Sequence, residues 1–349
     1  MKGFTIKDFE IGKNKKVFII AELSANHNQN FDVAINSLKA IKECGADAVK
    51  IQTYTPDTIT LNSNKDFFKI KQGTIWDGKT LYDLYKEAYT PWEWHPKLKQ
   101  AADDLNLIFF SSPFDYSAVD FLEKLDVPAY KIASFEIVDI PLIEYAASKG
   151  KPIIISTGIA SFEEINDALI ACKKMSNDQI ALLKCTSSYP APIDEANLKA
   201  ISLLERKFKV PVGLSDHTLG ISVPIAAAAL GAKIIEKHFI VDRSIGGPDS
   251  SFSLEPSQFK QMVDSVRDVE KAIGKASLAL SEKVLASRKF ARSLFAVTDI
   301  KAGEIFTMKN IKSIRPADGI SPKYLNEILG KKAVSNIESG TPLNWDLIN

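Results

Sequence analysis

Two histidines in this chain sit where a strand destined for a protein interior would ordinarily carry apolar side chains. His217 ends the run "PVGLSDH", and His238 lies in "AKIIEKHF". Side chains alternate along an extended strand, so Glu236 and His238 share a face, and Lys237 points the other way unless the strand bulges. If the two runs are neighbouring strands, about 4.8 Å apart, both imidazoles can reach one cation. Two nitrogens do not fill a coordination shell. Open positions for water or a substrate oxygen suit an exchangeable divalent ion such as Mn2+ or Mg2+ better than a closed structural zinc. Taken singly, His217 reads as a hydrogen-bonded structural residue. The pair favours a metal, with His217 and His238 as its ligands.

A second set of residues suits an anion. Lys50, Gln52 and Tyr54 recur at period two in "AVKIQTY", and Lys131 lies in "AYKIAS". A buried ammonium without a partner is costly, so each lysine needs an anion, from the protein or from a ligand. Ser112, Ser134, Ser156 and Ser215 stand near the ends of other apolar runs and could donate hydrogen bonds around the same group, as in a phosphate or phosphate-plus-carboxylate pocket. The plainer alternative pairs each lysine with Glu22 or Glu236 and makes each serine a strand-end cap. A Schiff-base aldolase would also bury a lysine inside a barrel, but that chemistry does not require the two histidines.

These groups must be positioned by the elements that carry them. Eight short apolar, β-rich runs precede residue 245: 17–24, 48–54, 107–114, 129–134, 152–158, 180–190, 211–217 and 232–239. Most are separated by segments with helical spacing, such as "FDVAINSLKAIKECG" and "SFEEINDALIACKKM". Eight such alternations predict an α/β fold, a (β/α)8 TIM barrel, in which functional residues lie at the C-terminal ends of the strands. A doubly wound open sheet would not need eight units, and no GxGxxG follows the first strand. The interval between the second strand and the helix near Trp94 is longer than compact domains usually allow, and reads either as a lid or as a surface excursion. From about residue 284 the pattern changes to short strand-like pieces with Gly and Pro turns, a small β-rich module too small to be more than marginal alone.

Composition bounds the rest. The 349 residues are 45% hydrophobic and 25% charged with a net charge of +1, which gives no electrostatic sign of nucleic acid or an anionic membrane as partner. Cys44, Cys172 and Cys185 are odd in number and widely spaced, which argues against a disulfide framework and for a reducing cytoplasm. No signal-like h-region opens the chain, and no apolar stretch is long enough to span a bilayer.

The ordered runs "FIIAELSANH", "AVKIQTYTPD", "KIASFE", "STGIAS", "LKCTSSYPAP", "GLSDHTLG", "IEKHF", "FARSLFAV" and "SIRPADGISP" resemble the sialic acid synthase family along nearly the whole chain. Within it, "ELSANH", "KIQTYTPD" and "SSPF" are most similar to the bacterial pseudaminic acid branch. The resemblance implies a TIM-barrel synthase domain over 1–280 and an antifreeze-like (SAF) domain over 281–349, in a domain-swapped homodimer. It implies condensation of phosphoenolpyruvate with an acylamino sugar to a nine-carbon 2-keto acid, with release of phosphate and with Mn2+, or alternatively Mg2+ or Co2+, as the ion. The implied phosphoenolpyruvate contacts are Lys50, Ser112, Lys131, Ser134, Ser156, Ser187, Tyr189 and Ser215. The implied metal ligands are His217 and His238, and Glu22 is the acid/base or water-orienting carboxylate. Sugar contacts fall on Glu136, Asp249 and, from the partner's SAF domain, Arg315.

Two departures touch the assignments. Ser187 stands where sialic acid synthases commonly carry Asn, and "RSIGGPDSSFSLEP" keeps Asp249 in altered surroundings. Both favour a sugar other than N-acetylmannosamine. The alternatives are an N-acetylneuraminate or legionaminic acid synthase and, from another class, a non-catalytic carbohydrate-binding protein.

Overall fold

A computed structural model describes residues 2–71 and 73–349. The chain divides into two compact units, Met1–Gly274 and Lys275–Asn349. The first opens with an antiparallel hairpin, β1 (Phe4–Ile6) and β2 (Phe9–Ile11), which the periodicity of the sequence did not reveal because each strand has only three residues.

Eight parallel strands follow and close into a barrel: β3 (Phe18–Glu22), β4 (Ala48–Thr53), β5 (Ile108–Pro113), β6 (Tyr130–Ile132), β7 (Ile153–Ser156), β8 (Ile180–Cys185), β9 (Val212–Asp216) and β10 (Ile234–His238). Each lies inside a run expected from the sequence. The sixth run is longer than its strand: after Cys185 the segment "TSSYP" leaves the sheet, and Tyr189–Pro190 is cis. Closure pairs β10 with β3 in the register Ile234↔Phe18 through His238↔Glu22. Phe18, Ile19, Ile20 and Ala21 are all fully buried. Burial on both faces of the sheet explains why the strands read as continuous apolar runs instead of alternating ones.

Helices cover the barrel in the expected alternation. Asn30 caps Phe31–Glu43 by accepting from the N–H groups of Asp32 and Val33, and Ser161 forms a capping box with Glu164 at the start of Phe162–Lys174. At the N-terminal end of the barrel, Arg267 of the helix Pro256–Ile273 donates to the Val17 carbonyl (2.7 Å) and to Asp47 (2.6 Å), tying this helix to the residues that lead into β3 and β4.

The long interval after β4 contains a helix at Leu81–Ala88 and rejoins the barrel at Thr90–His95. Two buried histidines fasten that return. His27 Nε2 lies 3.0 Å from Thr90 Oγ1, and His95 Nε2 lies 2.9 Å from Thr53 Oγ1. Burial pulls both imidazoles down to about 4, so they are neutral hydrogen-bonding groups at ordinary pH. His27, just past the end of β3, is thus spent on fastening this segment.

The second unit has its own core, including Leu294, Ile300, Phe306, Ile311 and Ile328. Its regular ladder among the described residues is short, β11 (Ser293–Ala296) antiparallel to β12 (Ile311–Ile314); single bridges such as Ile300↔Ile337 and Ala333↔Ile348 replace longer strands.

Candidate active site

Alternation along each strand aims one set of side chains into the barrel mouth. Lys50 Nζ of β4 lies 2.6 Å from Glu22 Oε2 of β3 and 3.3 Å from Ser112 Oγ of β5. Gln52 donates to Glu22 Oε1 at 3.3 Å. Lys131 of β6 donates to Ser156 Oγ of β7 at 2.7 Å and to the Ile132 carbonyl at 3.2 Å. Both ammoniums stand 3.7 Å from the same oxygen, Glu236 Oε1 of β10, which also accepts from Ser215 Oγ of β9 at 3.0 Å. The other oxygen, Glu236 Oε2, is buried and has no hydrogen-bond partner among the described residues. The two lysines therefore do pair with Glu22 and Glu236, and they do so inside a ring of serine hydroxyls.

The four charges are unequal. Burial pushes the Glu22 carboxyl up to about 7, against the pull of Lys50. Burial works the same way on Glu236, but Lys131 and Lys50 outweigh it and hold that carboxyl below its ordinary value. Lys50 rises because Glu22 and Glu236 overcome its burial; for Lys131 burial prevails and the ammonium is pulled down.

Ser134 and Ser187, just past the ends of β6 and β8, converge on a glycine. Gly158 N donates to Ser134 Oγ at 3.2 Å. A Cβ added at Gly158 would lie 2.0 Å from Ser187 Oγ, 2.8 Å from Ser134 Oγ and 3.2 Å from Cys185 Sγ. Nothing larger than hydrogen fits while those hydroxyls stay in place. Because hydroxyls can rotate away, Gly158→Ala is expected to leave the fold intact and to raise the KM for an anionic substrate about tenfold or more, the worth of one misplaced charge-assisted hydrogen bond. Steady-state kinetics beside a thermal melt checks this; an unchanged KM would mean that neither hydroxyl touches substrate.

The two imidazoles lie beside this cradle. Their ring centroids are 5.3 Å apart. Rings that share one ion through bonds of about 2.1 Å can have centroids separated by at most about 6.5 Å, so the spacing fits a common ion. His217 Nδ1 faces the Thr186 carbonyl at 3.1 Å, the kind of contact that makes Nδ1 the protonated nitrogen and leaves Nε2 its lone pair. His238 Nδ1 is buried with no hydrogen-bond partner among the described residues, and the nearest carboxylate oxygen, Asp249 Oδ2, is 3.8 Å away. Burial and the nearby His217 and lysines hold His238 well below the ordinary imidazole value, hence neutral; burial also pulls His217 down, but Cys185 and the Thr186 carbonyl carry it above. Among the described residues no group of three or more His, Cys, Asp or Glu is arranged to hold an ion. Any ion here would keep positions for water or substrate.

Aromatic rings wall the pair. Tyr189 lies 4.4 Å from His217 and Phe252 5.0 Å from His238, centroid to centroid. Trp76, from the long interval after β4, packs 5.4 Å from Tyr189, and its indole N–H donates to the Pro248 carbonyl at 3.1 Å. That segment therefore reaches the site, beside a cavity of about 570 Å³ lined by Ile75, Trp76, Pro248 and Ser250.

Asp249 is buried and Glu136 partly so. Burial pushes Asp249 up, and hydrogen bonds from Ser24 and Ala25 oppose it. Asn26 donates to Ser253 Oγ (2.8 Å), which in turn donates to the Asp249 carbonyl (2.6 Å), pinning the loop that presents Asp249. Burial pushes Glu136 up to about 7, and its buried Oε2 has no hydrogen-bond partner among the described residues. Arg315 is exposed on the second unit.

Residues 37–277 match the NeuB family, and residues 291–349 match the SAF domain. The chain belongs to the NeuB family. It is 52% identical over 330 residues to a pseudaminic acid synthase of Campylobacter jejuni, covering 95% of this chain and 96% of that one. It is 51% identical over 329 residues to a pseudaminic acid synthase of Helicobacter pylori, covering 94% and 96%. A solved N-acetylneuraminic acid (sialic acid) synthetase from Leptospira borgpetersenii serovar Hardjo-bovis, in complex with citrate, superposes with a TM-score of 0.74 at 34% identity, covering 82% of this chain and 95% of that one.

In this NeuB-family barrel several residues at the site have no separate signal in sequence. Gly158 could have been suspected from "STG", a glycine directly after a strand, where close approach of another chain segment is common. Asn26, Trp76 and the adjacent pair Phe252 and Ser253 lie far apart in sequence and meet only through barrel closure and the return of the long interval. Thr157 and Thr186, just past the ends of β7 and β8, donate to the carbonyls of Leu183 and Glu195.

Proposed function

We propose that this chain is a pseudaminic acid synthase. It condenses phosphoenolpyruvate with 2,4-diacetamido-2,4,6-trideoxy-beta-L-altropyranose to give pseudaminic acid and phosphate. One observation carries the chemistry: Lys50 and Lys131, both buried, share one oxygen of Glu236 inside a ring of serine hydroxyls, beside two imidazoles on adjacent strands. The identities of 51–52% over nearly the whole chain favour this sugar over N-acetylmannosamine or the legionaminic precursor.

Lys50 and Lys131, with Ser112, Ser134, Ser156, Ser187, Tyr189 and Ser215, hold the phosphate and carboxylate of phosphoenolpyruvate. Preorganised donors in a dry site act on the leaving charge without reorganisation. C3 of the enol bonds to the aldehyde carbon of the open-chain sugar, and the carbonyl π pair passes to the aldehyde oxygen. Water, oriented by the Glu22 carboxylate, adds at C2 and gives one proton to that oxygen, which becomes a hydroxyl; the C2 hydroxyl then loses its proton to form the ketone as the C2–O bond to phosphate breaks, and phosphate leaves with the bridging oxygen and that proton. His217 and His238 would hold a divalent ion, Mn2+ first and Mg2+ or Co2+ as alternatives, which when bound polarises the aldehyde oxygen. Glu136 and Asp249 contact the sugar. Arg315 reaches it from the SAF domain of a partner subunit in a domain-swapped homodimer. A cytoplasmic setting agrees with three free, buried cysteines.

Turnover in 18O-water tests the reaction, and parallel assays with the three candidate sugars test the substrate. The expected result is phosphate free of label and the highest kcat/KM for the altrose derivative. Label in the phosphate, or preference for another sugar, overturns the corresponding half.

A further inference from the structure

Lys237 stands between the two residues that face the site, Glu236 and His238, and turns to the opposite side of the strand. Its side chain is fully buried, and so, nearly, is that of Asp216. The ammonium lies 2.5 Å from Asp216 Oδ2 and also donates to the Thr218 carbonyl. Asp216 closes the remaining valences, accepting from Thr218 N at 3.1 Å and from Thr218 Oγ1 at 2.9 Å. In register, Lys237 is the direct neighbour of Asp216 across β10 and β9.

Asp216 and Thr218 flank His217 on either side, and Lys237 precedes His238. One ammonium thus holds the side-chain carboxylate before one imidazole and the backbone carbonyl after it, from the position adjoining the other. As a source of stability alone the arrangement is poor: desolvating both charges offsets most of their attraction, and apolar side chains of similar volume commonly do as well. Fixing a register is the best-attested use of such pairs. A site with only two protein ligands has special need of one, because donor distances must hold within about 0.2 Å.

We infer that Lys237, Asp216 and Thr218 form a positioning clamp that sets the spacing of His217 and His238 and thereby the affinity for a divalent ion. The inference rests on the two-histidine metal reading above. None of the three side chains needs to touch substrate.

The test titrates Mn2+ into chelator-stripped, full-length protein and follows the free-ion signal by electron paramagnetic resonance. Lys237→Met alone leaves Asp216 buried and uncompensated and can fail to fold. The informative variant is therefore Lys237→Met with Asp216→Asn, which removes both charges and keeps an acceptor for Thr218. Asp216→Asn alone serves as a milder second variant. The double variant should bind Mn2+ about tenfold to a hundredfold more weakly, the usual effect of losing a partner that orients a ligand, with a melting temperature near that of the wild type. Phosphoenolpyruvate binding without metal should be unchanged. Wild-type Mn2+ affinity in both variants overturns the clamp. Wild-type protein that takes no Mn2+, or a His217→Ala variant that binds it equally well, overturns the inference through the metal reading on which it rests.

Discussion

Lys131→Met is expected to lower kcat/KM for phosphoenolpyruvate by about two to four orders of magnitude while moving the melting temperature by no more than about 4 °C. The asymmetry follows from what the ammonium does in each state. Without substrate its hydrogen bonds run to a serine hydroxyl and a backbone carbonyl, and its ion-pair partner Glu236 stands at 3.7 Å. Burial already pulls this lysine down, so the ligand-free chain gains little from its charge. A methionine of similar length fills the space, and Glu236 keeps Lys50 and Ser215. Once a phosphate dianion enters, the same buried ammonium becomes one half of a desolvated ion pair, and removing one partner of such a pair costs about 3–5 kcal/mol. At about 1.4 kcal/mol per decade that gives the stated range. Kinetics and calorimetry on one preparation check both halves; a small kinetic effect with a large loss of stability would make Lys131 a structural residue.

Glu22→Gln should lower kcat about a hundredfold to a thousandfold, within the usual range for a general acid or base, and should not weaken phosphoenolpyruvate binding. Gln keeps the shape and removes a negative charge from beside the bound anion. The pH profile carries the sharper expectation. If the carboxylate orients the attacking water, wild-type kcat/KM falls on the acid side with a midpoint near 7, the value to which burial pushes Glu22 in the ligand-free chain, and the Gln variant lacks that limb. Stability follows with a definite sign. The folded carboxyl titrates at about 7 and the ordinary one at 4.5. The folded state therefore binds more protons than the unfolded one between those values, and the contribution present below 4.5 is lost as pH rises to about 7. The melting temperature of the Gln variant relative to wild type should accordingly climb across that window and level off above it. A difference that is flat with pH would show that Glu22 is not buried against its charge.

The arrangement of Glu236, Lys237 and His238 shows how far local rules reach. Alternation alone predicts that Lys237 turns away from its neighbours, and its partners Asp216 and Thr218 lie on that other side. The same rule puts Lys50 and Gln52 on one face, and both reach Glu22. What alternation could not choose was between two readings of the lysines, an internal ion pair or an anion cradle. In three dimensions they are one network, because Glu236 Oε1 lies between both ammoniums while the serine hydroxyls line the same space. His27 marks the opposite case. Its place at a strand exit resembles that of His217, yet Thr90, distant in sequence, claims it for fastening the segment after β4.

The sequence by itself determined the eight strand and helix repeats, the barrel they form and the side chains that face its mouth. These depend on periods of two and 3.6 residues and on strand ends, all readable within a dozen positions. Only the tertiary structure decided which of those side chains meet. Pairing of β10 with β3 joins residues more than 200 positions apart, and Gly158 is required only because Ser134 and Ser187 arrive at its surface from two other strand ends. Distances of that kind depend on register, tilt and closure of the whole sheet, which no short stretch of chain encodes.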